Sequence, residues 1–202
     1  MAEVNLIVPP AGSVRAQGGP NGDTFVSDLM PRYGEWSKRG SIYVSYSAAV
    51  ATSLAATATI GNMIWNPPGS GVRLYVTKWT SQVVATSASC TGIALAFGYQ
   101  TTTPTTTTAA TFAGSCRVSD IVAVAPKARA YGIATVLTAP LTAIVLHHNT
   151  AAINTVGMEQ MSGDLEGSVV VEEGGFVTMC ALGAAAAASG HTSSLVWIEV
   201  PR

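Results

Sequence analysis

Three long stretches of this chain, 41–72, 79–116 and 130–158, contain no charged residue at all. From Ser41 to the C-terminus, thirteen charges serve 162 residues. Ala, Val, Thr, Ser, Gly and Ile fill the space, a composition that favours strands and turns over helices. Across the chain only 10% of residues are Asp, Glu, Lys or Arg, against about 25% in typical soluble domains. Hydrophobic residues make up 48%, enough for a full core. A charge-poor surface tends to associate, so the body is expected to hide surface in an assembly or to meet water with uncharged Ser and Thr.

The β-favouring segments recur at short, regular intervals. Ser41–Tyr46 alternates polar and apolar residues. Ile60–Asn66 runs into Asn66-Pro67-Pro68-Gly69-Ser70-Gly71, a strong loop signal. Val72–Thr80 alternates again, which puts Arg73, Tyr75, Thr77 and Trp79 on one face and Leu74, Val76 and Lys78 on the other. Further candidates are Gly92–Tyr99, Asp120–Val124, Gly132–Leu137, Leu141–His148, Gly167–Val171, Gly175–Leu182 and Ser194–Val200. The run Thr101–Thr108 reads as a low-complexity loop or an extended edge. Ala184–Ala188 is too short to hold a helix alone and is expected in the loop before the last strand. Short strands at this spacing, with no helical segment between them, predict an all-β fold: a jelly-roll-like β-sandwich over 41–202.

Residues 1–40 differ. They carry four basic and four acidic residues and many breakers, among them Pro9-Pro10, Gly18-Gly19-Pro20, Pro31 and Gly40. No helical or strand period is evident there. Large apolar residues are nonetheless scattered through the segment, including Leu6, Ile7, Phe25, Leu29, Tyr33 and Trp36, more than a disordered tail carries. The expectation is an extended N-terminal arm that gains order by lying on a partner, with a segment capping its own core as the alternative.

Several function classes lose ground at this stage. The net charge is -1 and no Lys/Arg run exists, which counts against nucleic-acid binding. No span of about 20 apolar residues suggests a membrane helix, and the N-terminus lacks the pattern of a signal peptide. Cys90, Cys116 and Cys180 are odd in number and widely spaced, so they read as free, buried thiols of a protein made in a reducing cytoplasm. His147 and His148 are neighbours in a strand and point to opposite faces, a poor arrangement for one metal. Glu172-Glu173 precede Gly174-Gly175 and read as turn residues; Asp164 and Glu166 sit in a Gly-bounded loop without calcium-loop spacing. Ser115-Cys116-Arg117 lacks an assignable base. There is no nucleophile elbow and no phosphate loop. Trp36, Trp65, Trp79 and Trp197 are expected as core or interface anchors, although exposed aromatics could form a sugar platform. Neither an enzyme nor a cofactor is expected.

Two segments carry a resemblance. Val171-Glu172-Glu173-Gly174-Gly175-Phe176-Val177-Thr178-Met179-Cys180, a small-residue loop, and Ser194-Leu195-Val196-Trp197-Ile198-Glu199-Val200-Pro201 resemble the C-terminal hairpin of jelly-roll proteins on tailed-bacteriophage virions. Gly61–Leu74, with its strand, Asn-Pro, Gly-x-Gly and second strand, looks like an element of the same group. The resemblance covers about 40 of the 202 residues. It implies a capsid decoration, or cement, protein on the outside of an icosahedral head, typically a homotrimer, with the major capsid protein as partner, no nucleic acid and no membrane. It implies no catalytic or cofactor residues. Interface hot spots favour Trp, Tyr and Arg, which makes Arg32, Tyr33, Trp36, Lys38 and Arg39 the candidate capsid-binding anchors. The alternatives are a jelly-roll major capsid or tail/fibre component, disfavoured by the charge-balanced arm, and a carbohydrate- or receptor-binding module.

Overall fold

In a computed structural model, residues 3–8, 12–18, 24–25, 33, 36–37, 39–52, 59–60, 62–85, 90–117, 125–137, 141–148, 160–183 and 189–202 are described. The chain divides into two units, Met1–Glu35 and Trp36–Arg202.

The first unit holds β1 (Glu3–Val8), β2 (Gly12–Gly18) and β3 (Thr24–Phe25), an antiparallel sheet in that order. The expectation of no strand period in this region is thereby corrected. Val4 pairs with Ala16 and Leu6 with Val14. The strands are so short, and so closely followed by breakers such as Pro9-Pro10 and Gly19-Pro20, that each turn hides the period of its neighbour.

The second unit is all-β. Its strands are β4 (Ile42–Thr52), β5 (Thr59–Ile60), β6 (Met63–Trp65), β7 (Val72–Ala85), β8 (Cys90–Tyr99), β9 (Thr105–Ala109), β10 (Phe112–Ser115), β11 (Arg129–Thr135), β12 (Leu141–His148), β13 (Gln160–Val171), β14 (Gly175–Gly183) and β15 (Ser189–Pro201). They form two antiparallel sheets, β10-β4-β15-β7-β13 and β12-β8-β14-β6-β11-β5, with β9 paired to β11. Eight strands pair in nested fashion: β4 with β15, β6 with β14, β7 with β13, and β8 with β12. That nesting is a long antiparallel hairpin rolled up so that alternate pairs fall in opposite sheets, which is the jelly-roll arrangement. The excursion β9–β10–β11 lies between β8 and β12 in the chain and lengthens both sheets. β10 joins the first sheet beside β4, and β11 joins the second beside β6.

The core lies between the sheets. Tyr43, Leu74, Val76, Trp79, Leu195 and Trp197 of the first pack against Ile64, Leu95, Val177 and Met179 of the second. The Tyr43 and Trp197 rings stack with centroids 6.0 Å apart.

Three sequence expectations change here. Trp79 faces the core with Leu74 and Val76, not with Arg73, because Thr77 is an extra residue in β7: Trp197 pairs with Val76 and Val196 with Lys78. One inserted residue exchanges the two faces of everything beyond it. The loop around Asp164 and Glu166 lies inside β13, which starts earlier than its Gly167 candidate. The strand pairs with β7 up to Asp164 and again from Val169, and the residues between bulge out. Glu166 there adopts φ 53°, and its N–H donates to Asp164 Oδ1 at 2.8 Å. Phe112–Ser115, with no strand candidate in the sequence, pairs with β4. The candidate strand Asp120–Val124 and the run Ala184–Ala188 lie outside the described residues.

Candidate functional site

Of the five candidate anchors, Tyr33, Trp36 and Arg39 are described; Arg32 and Lys38 lie outside the described residues. Tyr33 falls in the first unit, Trp36 and Arg39 in the second. Trp36 begins a tight turn into β4. Gly40 N–H donates to Ser37 O at 2.9 Å and Ser41 N–H to Trp36 O at 3.0 Å, while Gly40 takes φ 70° to close it. The turn stacks the exposed Arg39 guanidinium over the half-buried Trp36 ring at 5.6 Å, a cation–π pair. The structure thus joins two of the five anchors into one surface feature of the body.

Three of the body's carboxylates, Glu172, Glu173 and Glu199, are held by the fold. Glu199, only 5% exposed, accepts Ala128 N–H at 2.9 Å and Trp197 Nε1–H at 3.3 Å on Oε1, and Lys127 N–H at 3.0 Å on Oε2. This gives the Trp-x-Glu-x-Pro ending a physical meaning: the carboxylate pins the turn before β11 to the last strand. Glu173 accepts Gly69 N–H at 3.1 Å and Gly71 N–H at 3.0 Å. These two glycines take φ 78° and 72°, so the loop can point both N–H groups at one anion. Those bonds, with Arg202 adding to them, hold the Glu173 carboxyl below its ordinary range. Glu172 pairs with Arg73 at 2.8 Å and also with Arg202.

Beneath this corner Asn66 is fully buried. Its Nδ2 donates to Val72 O at 2.9 Å and Val171 O at 3.1 Å, and its Oδ1 accepts Ser70 Oγ–H at 2.6 Å. The two segments that carried the sequence resemblance therefore meet, and they meet as a structural clasp. Glu172 and Glu173 are turn residues there, and their partners are backbone N–H groups and arginines.

No protein-family model, curated protein or solved structure matches this chain. The geometry therefore stands alone. Trp65, Trp79 and Trp197 are buried, which removes them from any sugar platform. Trp65 Nε1–H donates to Gln100 O at 3.0 Å, and Arg129 lies over its ring at 5.8 Å. A cleft of about 110 Å³ opens between the sheets, lined in part by Phe97, Val169, Val171 and Phe176. Small-molecule sites occupy about 300–1,000 Å³. Among the described residues no three His, Cys, Asp or Glu side chains could hold a metal, and no helix is long and apolar enough to cross a membrane. His147 and His148 are consecutive residues of β12.

Ser115 Oγ accepts Arg117 N–H at 3.1 Å, a turn contact. Cys180 is a buried free thiol, pushed up to about 11 by desolvation. Cys116 departs from the expectation of buried thiols: it is exposed, at the turn that follows β10.

Sequence reasoning missed the most conspicuous surface feature. Tyr99, Leu137, Leu141 and Val145 are 60%, 77%, 77% and 56% exposed. Their signal was present in the charge-free stretches 79–116 and 130–158, but composition does not distinguish a buried leucine from an exposed one.

Proposed function

We propose that this chain is a structural virion protein that decorates and stabilises a phage capsid by binding its outer surface as an oligomer, with a homotrimer as the working form. The observation that carries the reading is a jelly-roll sandwich, three of whose acidic side chains are spent on the fold. Glu199, Glu173 and Glu172 bind backbone N–H groups and arginines, while large apolar side chains stand on the surface. That combination suits a protein that works through surfaces, and we assign it no catalytic role. The segment resemblance to tailed-phage virion proteins supplies the context, with the major capsid protein as partner.

The mechanism is mass action. A ligand that binds the assembled shell and not its dissociated parts stabilises the shell in proportion to RT ln(1 + [L]/Kd). The first unit, Met1–Glu35, is the capsid-binding element, and the Trp36–Arg39 pair of the second unit is a separate candidate contact. A chain lacking residues 1–35 is expected to stay folded and to stop adding back to stripped capsids in a co-sedimentation assay; undiminished decoration by it would overturn the assignment. A glycan-binding module is the weaker reading, since three of the four tryptophans are buried.

A further inference from the structure

The two sheets end on different kinds of strand. The first ends on β13, which bulges between Asp164 and Val169 and exposes Asp164 and Glu166. Bulges and charges on an end strand keep other chains from adding to it. The second ends on β12, drawn from a stretch, 130–158, without a single charge. β12 also has two register shifts against β8, but it carries no Asp, Glu, Lys or Arg.

Four of the five large hydrophobic side chains exposed among the described residues lie along this margin. Leu141 pairs with Phe97 and Val145 with Ala94. Tyr99 ends β8, and Leu137 N–H donates to Gln100 Oε1 at 2.9 Å, which fixes Leu137 beside it. The row runs along the second half of β8 and one residue beyond, from Ala94 to Gln100, roughly 20 Å at about 3.3 Å per residue. Phe97 faces the inter-sheet core and Ala94 the opposite side, so Leu141 and Val145 make the margin apolar on both faces of the sheet.

We infer that the β12 margin, with Tyr99, Leu137, Leu141 and Val145, is the surface on which a second copy of this chain docks. The electrostatics select that occupant. An end strand without Asp, Glu, Lys or Arg meets its own copy without the carboxylate repulsion that Asp164 and Glu166 would bring to theirs. Exposed apolar rows of this kind mark association surfaces. The inference rests on the oligomer in the proposed function and adds where its copies touch.

The test is the native mass of the full chain by light scattering over a concentration series, beside the double change Leu137→Arg, Leu141→Arg. Both leucines are 77% exposed, so the arginines reach water and the fold persists, as far-UV circular dichroism would verify. The control is Ser168→Arg on β13. The wild type and the control are expected above the 20.6 kDa of one chain, with the double variant at that mass. If the double variant fails to fold, Leu141→Ser serves in its place and is expected to raise the dissociation constant at least tenfold. A wild-type oligomer whose mass neither change alters would overturn the margin and leave the oligomer standing; a wild-type monomer at every concentration would overturn both.

Discussion

The two sheets of the body share a core but differ on their outer faces. On the first, Arg73 and Lys78 are exposed and Tyr75 and Val196 half-buried. On the second, Met63, Trp65 and Phe176 form one buried cluster, and Ala94, Ala96 and Cys180 another, on the side opposite Ile64, Leu95, Val177 and Met179. The first is an ordinary sandwich sheet with one wet face. The second is buried on both faces: its outer cluster extends to Tyr131 and Ala134 of β11 and to Val136, and Trp65 Nε1–H donates to Gln100 O. The lesson concerns where stability resides. An apolar side chain on the outer face of the second sheet belongs to the core as much as one between the sheets.

The sharpest way to break this comparison is Phe176→Ala. The ring is 2% exposed on the supposed outer face, so its loss is expected to cost about 3–5 kcal/mol, read by denaturant unfolding. Tyr75→Ala, on the outer face of the first sheet, is expected to cost far less. Equal costs would mean that the second sheet has no outer core.

Glu199→Ala comes next, at about 3 kcal/mol, because it strands the N–H groups of Lys127, Ala128 and Trp197. Glu199→Gln should recover part of that, since one amide oxygen can still accept. Gly98→Ala is expected to cost about 1–3 kcal/mol. Its Cβ would stand 2.1 Å from Phe176 Cζ, so the buried ring must shift to admit it. A neutral outcome there would place Phe176 in looser packing than its burial indicates.

Smaller effects test the corner clasp. The Glu173 carboxyl is held below its ordinary range by Gly69 N–H, Gly71 N–H and Arg202. A depressed acid stabilises the fold above its unfolded pKa, and that contribution fades as pH falls through the folded value. Glu173→Gln is therefore expected to flatten the acid limb of the stability curve while changing neutral stability slightly. An unchanged acid limb would show the contact to be idle. Smallest of all, Lys78→Thr on the wet face is expected to stay within about 0.5 kcal/mol of the parent.

The sequence was most legible where one face of a strand is wet. Leu74 and Val76 were placed correctly by simple alternation, and the same rule failed at Trp79 because a bulge leaves no mark in the residue pattern. It was least legible in the N-terminal unit, where strands of two to seven residues are punctuated too often to show a period. Of the candidate anchors, the Trp36–Arg39 pairing follows from one turn closed by Gly40. The charge-free stretches hinted at an apolar surface, but which side chains form the margin could not be read, since burial depends on what the rest of the chain covers.

Composition and spacing by themselves determined that this chain is an all-β sandwich, because short β-branched segments cut by Gly and Pro leave no room for helices. They also determined that its surface would be poor in charge. Tertiary structure alone decided that β4, β6, β7 and β8 pair with β15, β14, β13 and β12, that one sheet is buried twice over, and which margin stays apolar and exposed. Such pairings join residues from about forty to about 150 positions apart, and no local pattern encodes which distant strand will arrive to bury a given face.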